Sequence, residues 1–322
     1  MIQYKTKEKD CRQAISCVIP VAEMQPHNAR LLGRALWVGL SAVALIVPTL
    51  AGQEHKTDPT WLHRFLSLAQ PAKADASDSC QYQPLFGKGD KDASILRSLS
   101  RFGAMRISPH STCPDDVDSS EESLRFVLNG KGFISYNAED HAIHPDDFTY
   151  LAPALKRTFR SDSDQGLTVI VMDFKVPTPV SLPSKETQPK IVNLADIKEE
   201  TVSGHPSSVL YKLMVGSRGA TRDAIDDATV VTSLFLMDFA PGGTNWPHHH
   251  ETAEEVYLVL DGTGDMVAGS GMDGVEARFP AKAGDAYYFR PNCTVGFYNQ
   301  NHPGAKAHIL AVRSRIPLPE AD

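Results

Sequence analysis

From about residue 80 the chain alternates short apolar runs with turn residues. Stretches rich in Val, Ile, Phe and Tyr at 125–128, 148–151, 167–176, 230–239, 256–260, 286–289, 295–298 and 307–312 are punctuated by Gly, Pro, Asn and Asp at spacings near ten residues. Runs this short, bounded by turn formers, are the rhythm of an all-β sandwich or barrel. Two other stretches fall outside it. Residues 52–79 mix polar side chains with Pro and Ala and read as a linker with one short helix around 61–68. Residues 179–206, proline-rich and charged at their start, read as an interdomain crossing.

Laying the strand–turn units over one another exposes a repeat. Phe126-Val-Leu-Asn-Gly-Lys-Gly132 recurs as Leu258-Val-Leu-Asp-Gly-Thr-Gly264, 132 positions later, and the unit from Asp146 to Pro153 recurs from Gly284 to Pro291, 138 positions later. Two units in the same order at nearly the same offset indicate a duplicated β domain; a solenoid repeats every 20–50 residues. The expected organisation is one barrel over 80–178 and a second over 207–316.

Residues 1–51 have a different character. No residue from 35 to 51 is charged, most are apolar, and Arg30 and Arg34 stand just before them. That is the layout of a secretory signal with cleavage after Ala51; an uncleaved membrane anchor is the alternative, and the only membrane contact expected. Starting at Met24 rather than Met1 gives the basic region an ordinary length. Export, periplasmic or extracellular, would put Cys80, Cys113 and Cys293 in an oxidising compartment, where Cys80 and Cys113 can pair.

Composition narrows the function. With 32 Lys+Arg against 39 Asp+Glu, the net charge is −7. Without residues 1–51 it becomes −10, so no nucleic-acid backbone is an expected partner. A small-molecule substrate is expected, and a homo-oligomer is compatible with the composition.

The candidate chemistry lies in the second repeat. It reads Gly242-x5-His248-x-His250-x4-Glu255-x6-Gly262. On a strand, alternation sends His248 and His250 to one face and His249 to the other. Glu255, returning on the neighbouring strand, completes a set of two imidazoles and a carboxylate, which suits one divalent Fe, Mn, Ni, Cu or Zn ion.

This run resembles the first motif of the cupin superfamily, and the duplication resembles a bicupin, which implies two tandem double-stranded β-helix (jelly-roll) barrels. The family's second motif, Gly-x5-Pro-x-Gly-x2-His-x3-Asn, matches the stretch from Gly284 to Asn299. It places Arg290 at the proline, Asn292 at the glycine and Val295 at the histidine. Asn292 suits a left-handed backbone. Val295 is no ligand, so the resemblance supplies three of four ligands and leaves His308, on the last strand, as the candidate fourth. In the first repeat the same alignment puts Asp116 and Asp118 at the histidines, Ser123 at the glutamate and Arg157 at the second-motif histidine. That makes the first barrel a degenerate, structural copy in which Arg157 pairs with aspartates or takes an anion; His110, His141 and His144 are loop residues there.

Trp246, Tyr257 and Phe297 share the ligands' inward parity and, with Val295, are candidate substrate contacts. Cys293 and Tyr288 are expected near the mouth. A three-ligand ion keeps open positions for water, dioxygen or a chelating substrate. The expected activity is a metal-dependent, dioxygenase-type oxidation of a small oxygen-rich molecule. The alternatives are hydrolysis or isomerisation, as in the layout of ureidoglycine aminohydrolase, or a binding protein without turnover.

Overall fold

The structure is a computed structural model. It describes residues 60–68, 79–177 apart from 92, 116, 117, 137 and 154, 189–269, and 276–316. The expected signal segment lies outside them. No helix of the described residues is long and apolar enough to cross a membrane.

The described chain is nearly all strand. In order it forms β1 (Trp61–Phe65), β2 (Cys80–Gly87), β3 (Leu99–Ile107), β4 (Thr112–Asp115), β5 (Glu121–Asn129), β6 (Gly132–Tyr136), β7 (Glu139–Ile143), β8 (Asp147–Leu151), β9 (Arg157–Ser161), β10 (Leu167–Lys175) and β11 (Lys190–Asn193). The second half adds β12 (Val209–Ser217), β13 (Ile225–Ala228), β14 (Val231–Phe239), β15 (Ala253–Asp261), β16 (Thr263–Gly269), β17 (Glu276–Lys282), β18 (Asp285–Phe289), β19 (Thr294–Asn299) and β20 (Ala307–Arg315).

These strands make two jelly-roll barrels of two sheets each. The first pairs the sheet β11-β8-β5-β10-β3-β2 with β4-β9-β6-β7; the second pairs β1-β18-β15-β20-β14-β12-β13 with β17-β16-β19. The large sheets are apolar on both faces. One face lines each barrel's own interior, with Val169, Val171, Phe159 and Ile134 in the first and Tyr257, Phe289, Ile309 and Phe297 in the second. The opposite faces, including Phe102, Phe126, Ile170, Leu258, Tyr288 and Leu310, share one continuous layer. Burying a Leu or Phe contributes roughly 1.5–3 kcal/mol, so a layer of this size makes the barrels one cooperative body.

Each of the two segments read as connectors contains an exchanged edge strand. β1 does not form the expected helix; it pairs antiparallel with β18 of the second barrel, Trp61 opposite Phe289. β11, inside the expected crossing, pairs with β8 of the first barrel. Each half of the chain is thus preceded by a strand that completes the other half's sheet. The β-branched pair Ile191-Val192 and the aromatic ends of Trp61-Leu-His-Arg-Phe65 suit pleated edges, which otherwise expose unpaired backbone groups.

Two buried glutamates repeat this exchange in side chains. Glu122 on β5 accepts the backbone N–H groups of Thr229, Val230 and Val231 at 2.7–2.8 Å and the Tyr150 hydroxyl at 3.3 Å. Glu254, 132 positions later on β15, accepts the backbone N–H groups of Arg97, Ser98 and Leu99, with the last two at 2.9 Å, and the Tyr288 hydroxyl at 2.6 Å. Every partner keeps the repeat offset, 132 for the loops and 138 for the tyrosines. Tyr288 therefore faces the other barrel, not the mouth of its own. A disulfide joins Cys80 to Cys113 in the first barrel, and Cys293 is buried in the second, its Sγ 3.3 Å from the Gly269 carbonyl.

Candidate metal centre

The His248–His250 segment is not a regular strand. It is held extended by His248, whose N–H donates to Val295 at 2.9 Å and whose carbonyl accepts from it at 2.8 Å. The Asn292 N–H donates to the His250 carbonyl at 2.8 Å, and Asn292 adopts the left-handed backbone (φ 64°) expected of it. Gly296 permits the close approach: a Cβ there would lie 3.0 Å from Pro247 Cα. Local alternation therefore survives without a strand. The His248 and His250 rings meet edge to face at 5.0 Å, while His249 is exposed.

Glu255 arrives from β15, and the ligand atoms of His248, His250 and Glu255 lie within 4.8 Å of one another. Glu255 is buried, and its Oε2, 3.3 Å from His250 Nε2, accepts no aligned hydrogen bond. Burial pushes this carboxyl up, but His250, Arg313 and His248 outweigh it and hold it below the usual glutamate value. Burial pushes His248 down, favouring the neutral ring that ligates metal. Its Nδ1 lies 2.8 Å from the Trp246 carbonyl, which fixes Nε2 as the free nitrogen. An ion held at 2.0–2.2 Å by each donor brings donors to about 3–4 Å apart, which side-chain adjustment alone supplies. An orphaned buried carboxylate oxygen facing two imidazoles fits a divalent cation.

The set opens on a cavity of about 40 Å³ lined by His205, Tyr211, Arg222, Tyr257 and Arg313 among others. At about 10–15 Å³ per water, it holds roughly three water-sized groups. Outside it lies an open vestibule of about 570 Å³. Burial raises the Tyr211 and Tyr257 hydroxyls well above their ordinary values, so both are donors at neutral pH. Tyr257 meets Asn245 Nδ2 at 2.9 Å; the Tyr211 hydroxyl is buried with no partner.

Other expected site residues lie elsewhere. His308 is on the opposite face of β20 from the ligands, 3.6 Å from Asp238 in a cleft shared with Phe126 and Asp146 of the first barrel; alternation removes it from the fourth-ligand position. Trp246 takes a left-handed backbone (φ 53°) that turns its ring outward, and it is 55% exposed. Phe297 is core, packed on Phe239 at 5.0 Å, and Val295 and Cys293 share that core. Tyr257 does line the cavity.

Arg313, Tyr211 and His205 were not expected here. Arg313 follows the inward residues Ala307, Ile309 and Ala311 at strand spacing, a charged break in an apolar alternation that the sequence displays. His205, 5.2 Å from the His248 ring, comes from a turn before β12 and leaves no such signal.

At the matching place in the first barrel stands an ionic cluster. Asp115 Oδ2 receives Arg125 at 2.6 Å and Arg157 at 2.7 Å, Asp173 Oδ1 receives Arg125 at 2.7 Å, and Arg101 bonds both aspartates. Asp115 pairs with Arg157 across β4 and β9 as His248 does with Val295. The turn is thus one residue out of the sequence alignment: Asp116 lies outside the described residues and Asp118 is exposed.

A model of the cupin domain matches residues 235–312. Germin-like protein subfamily 2 member 1 of Arabidopsis thaliana is 36% identical over 89 residues, 28% of this chain and 40% of that relative, so the chain spans less than half of the curated relative's length. A proposed glyoxylate induced protein of Pseudomonas aeruginosa shares the fold with a TM-score of 0.60 at 14% identity, over 76% of this chain and 85% of that one. Oxalate decarboxylase of Lactobacillus farciminis shares it with a TM-score of 0.52 at 13% identity, over 76% and 88%. The fold and the motif place a cupin domain in the second barrel, and the chain shares the barrel fold of these solved structures.

Proposed function

We propose that the chain is an exported, metal-dependent two-barrel cupin enzyme whose second barrel oxidises a small oxygen-rich molecule with dioxygen. The observation that carries this reading is the buried, unpartnered Glu255 oxygen facing His248 and His250 in a cavity. The ion would supply Lewis-acid and redox chemistry at its open positions. The chain's own residues set the rest: Glu255 stays ionised, Tyr257 and Tyr211 stay protonated and can donate hydrogen bonds, and the barrel wall limits water. The cavity of about 40 Å³ favours a two- or three-carbon compound over a catechol. Oxalate, on which the fold neighbour acts, has that size. The Cys80–Cys113 disulfide and the apolar 35–51 segment support export.

Oxygen uptake by metal-loaded protein, screened against oxalate, small hydroxy acids, diketones and catechols, tests the reading. Uptake with a small acid and none with catechols is expected. Metal-loaded protein that turns over a substrate anaerobically would replace oxidation with hydrolysis or isomerisation, and one that turns over nothing would make this a binding protein.

A further inference from the structure

Arg313 is a half-buried guanidinium beside the metal ligands, and among the described residues no carboxylate stands at ion-pairing distance from it. It approaches His250, at 3.0 Å from Nε2 and 3.3 Å from Nδ1. Its counterpart in the first barrel is Asp173, 140 positions earlier, already bonded to Arg101 and Arg125. Barrel symmetry thus puts a saturated acid in one copy and an undersatisfied base in the other.

A nitrogen lone pair serves one partner at a time. Once His250 ligates an ion through the nitrogen nearest Arg313, that nitrogen no longer accepts, and the ion's charge repels the guanidinium. Arg313 then has five donors in a partly desolvated place, and leaving them unmatched is costly. The surroundings suit an anion. The partnerless Tyr211 hydroxyl lines the same cavity. Among the described residues the vestibule is lined by Arg222, Arg313, Arg315, His249 and His250 against one carboxylate, Glu251, although the chain as a whole is acidic. A basic entrance on an acidic protein concentrates anions.

We propose that the site takes its substrate as a small carboxylate held by Arg313 and Tyr211, and that metal loading frees Arg313 from His250 to hold it. This rests on the metal reading above and adds the substrate's charge and an order of binding. The coupling is reciprocal: the anion tightens the metal by the factor by which the metal tightens the anion.

Calorimetric titration of tag-free protein with Mn(II) and formate tests it. In the wild type, formate should bind the Mn(II)-loaded form at least tenfold more tightly than the metal-free form, and saturating formate should lower the Mn(II) Kd by the same factor. Arg313→Gln should bind Mn(II) without formate as tightly as the wild type or more so, yet lose at least tenfold in formate affinity. Arg313→Lys, which keeps the charge without the planar fork, should fall between and covers a misfolded glutamine variant. Neutral formamide should show no Arg313 dependence. Undiminished formate binding by Mn(II)-loaded Arg313→Gln, or equal formate affinity with and without metal, overturns the proposal while the metal reading stands. A wild type that takes up no metal overturns both.

Discussion

The two barrels share strand order, exchanged edge strands and reciprocal glutamates, yet their interiors are opposite in chemistry. Where the second keeps His248, His250 and Glu255 around a small cavity, the first closes the same space with Arg101, Arg125 and Arg157 against Asp115 and Asp173. Burial alone would push the Asp115 carboxyl up; Arg125, Arg157 and Arg101 overcome this and hold it well below its ordinary value. Both carboxylates of this cluster are matched by guanidiniums, and its one orphaned polar atom among the described residues is Arg157 Nη2, a donor. Among the described residues of the second barrel, Glu255 has an oxygen with no hydrogen bond and Arg313 has no carboxylate at ion-pairing distance. The difference teaches that a buried carboxylate left without a matching cation, in a duplicated frame whose other copy matches both of its own, marks the copy that binds something.

The largest effect should come from opening the closed network. Arg125→Leu leaves Asp115 and Asp173 short of a cation and should cost about 3–5 kcal/mol in denaturant unfolding, with one transition for both barrels; two transitions would contradict a single cooperative body. Because the folded pKa of Asp115 lies below the unfolded 3.8, its contribution is present above that pH and lost as pH falls below it. Asp115→Asn should flatten that acid limb.

Next come the reciprocal staples. Glu254→Gln and Glu122→Gln each turn an acceptor oxygen into a donor facing buried N–H groups and should each cost about 2 kcal/mol. Similar losses from both support the symmetry, and a loss from one alone breaks it. Val295→His should then restore a fourth ligand and tighten metal binding about tenfold, or about 1.4 kcal/mol; no gain in a metal titration would mean that Val295 does not face the ion. His308→Ala should leave metal content unchanged, and metal loss would return His308 to the ligand set.

Much of this was legible in the chain. Gly242, His248, His250, Glu255 and Gly262 mark the site because motif spacing survives folding, and the 132 and 138 offsets locate matching residues to within one turn position. The exchange of β1 and β11 was hidden because pairing with a distant half leaves no mark on strands of five and four residues. Trp246 was misplaced because the motif loop is not a strand, so parity read from it does not carry to every neighbour; Phe297 keeps its inward parity on β19 but packs into the barrel core against Phe239. Arg313 was visible as a charged break in the last strand, but only the structure showed what it faces.

The central claim is that the second barrel holds one divalent ion on His248, His250 and Glu255. Metal content of tag-free wild type and His250→Ala, measured by mass spectrometry on matched preparations, tests it most directly. About one ion per wild-type chain, and its loss from the variant, is the predicted result; equal metal content in the two proteins would contradict the assignment.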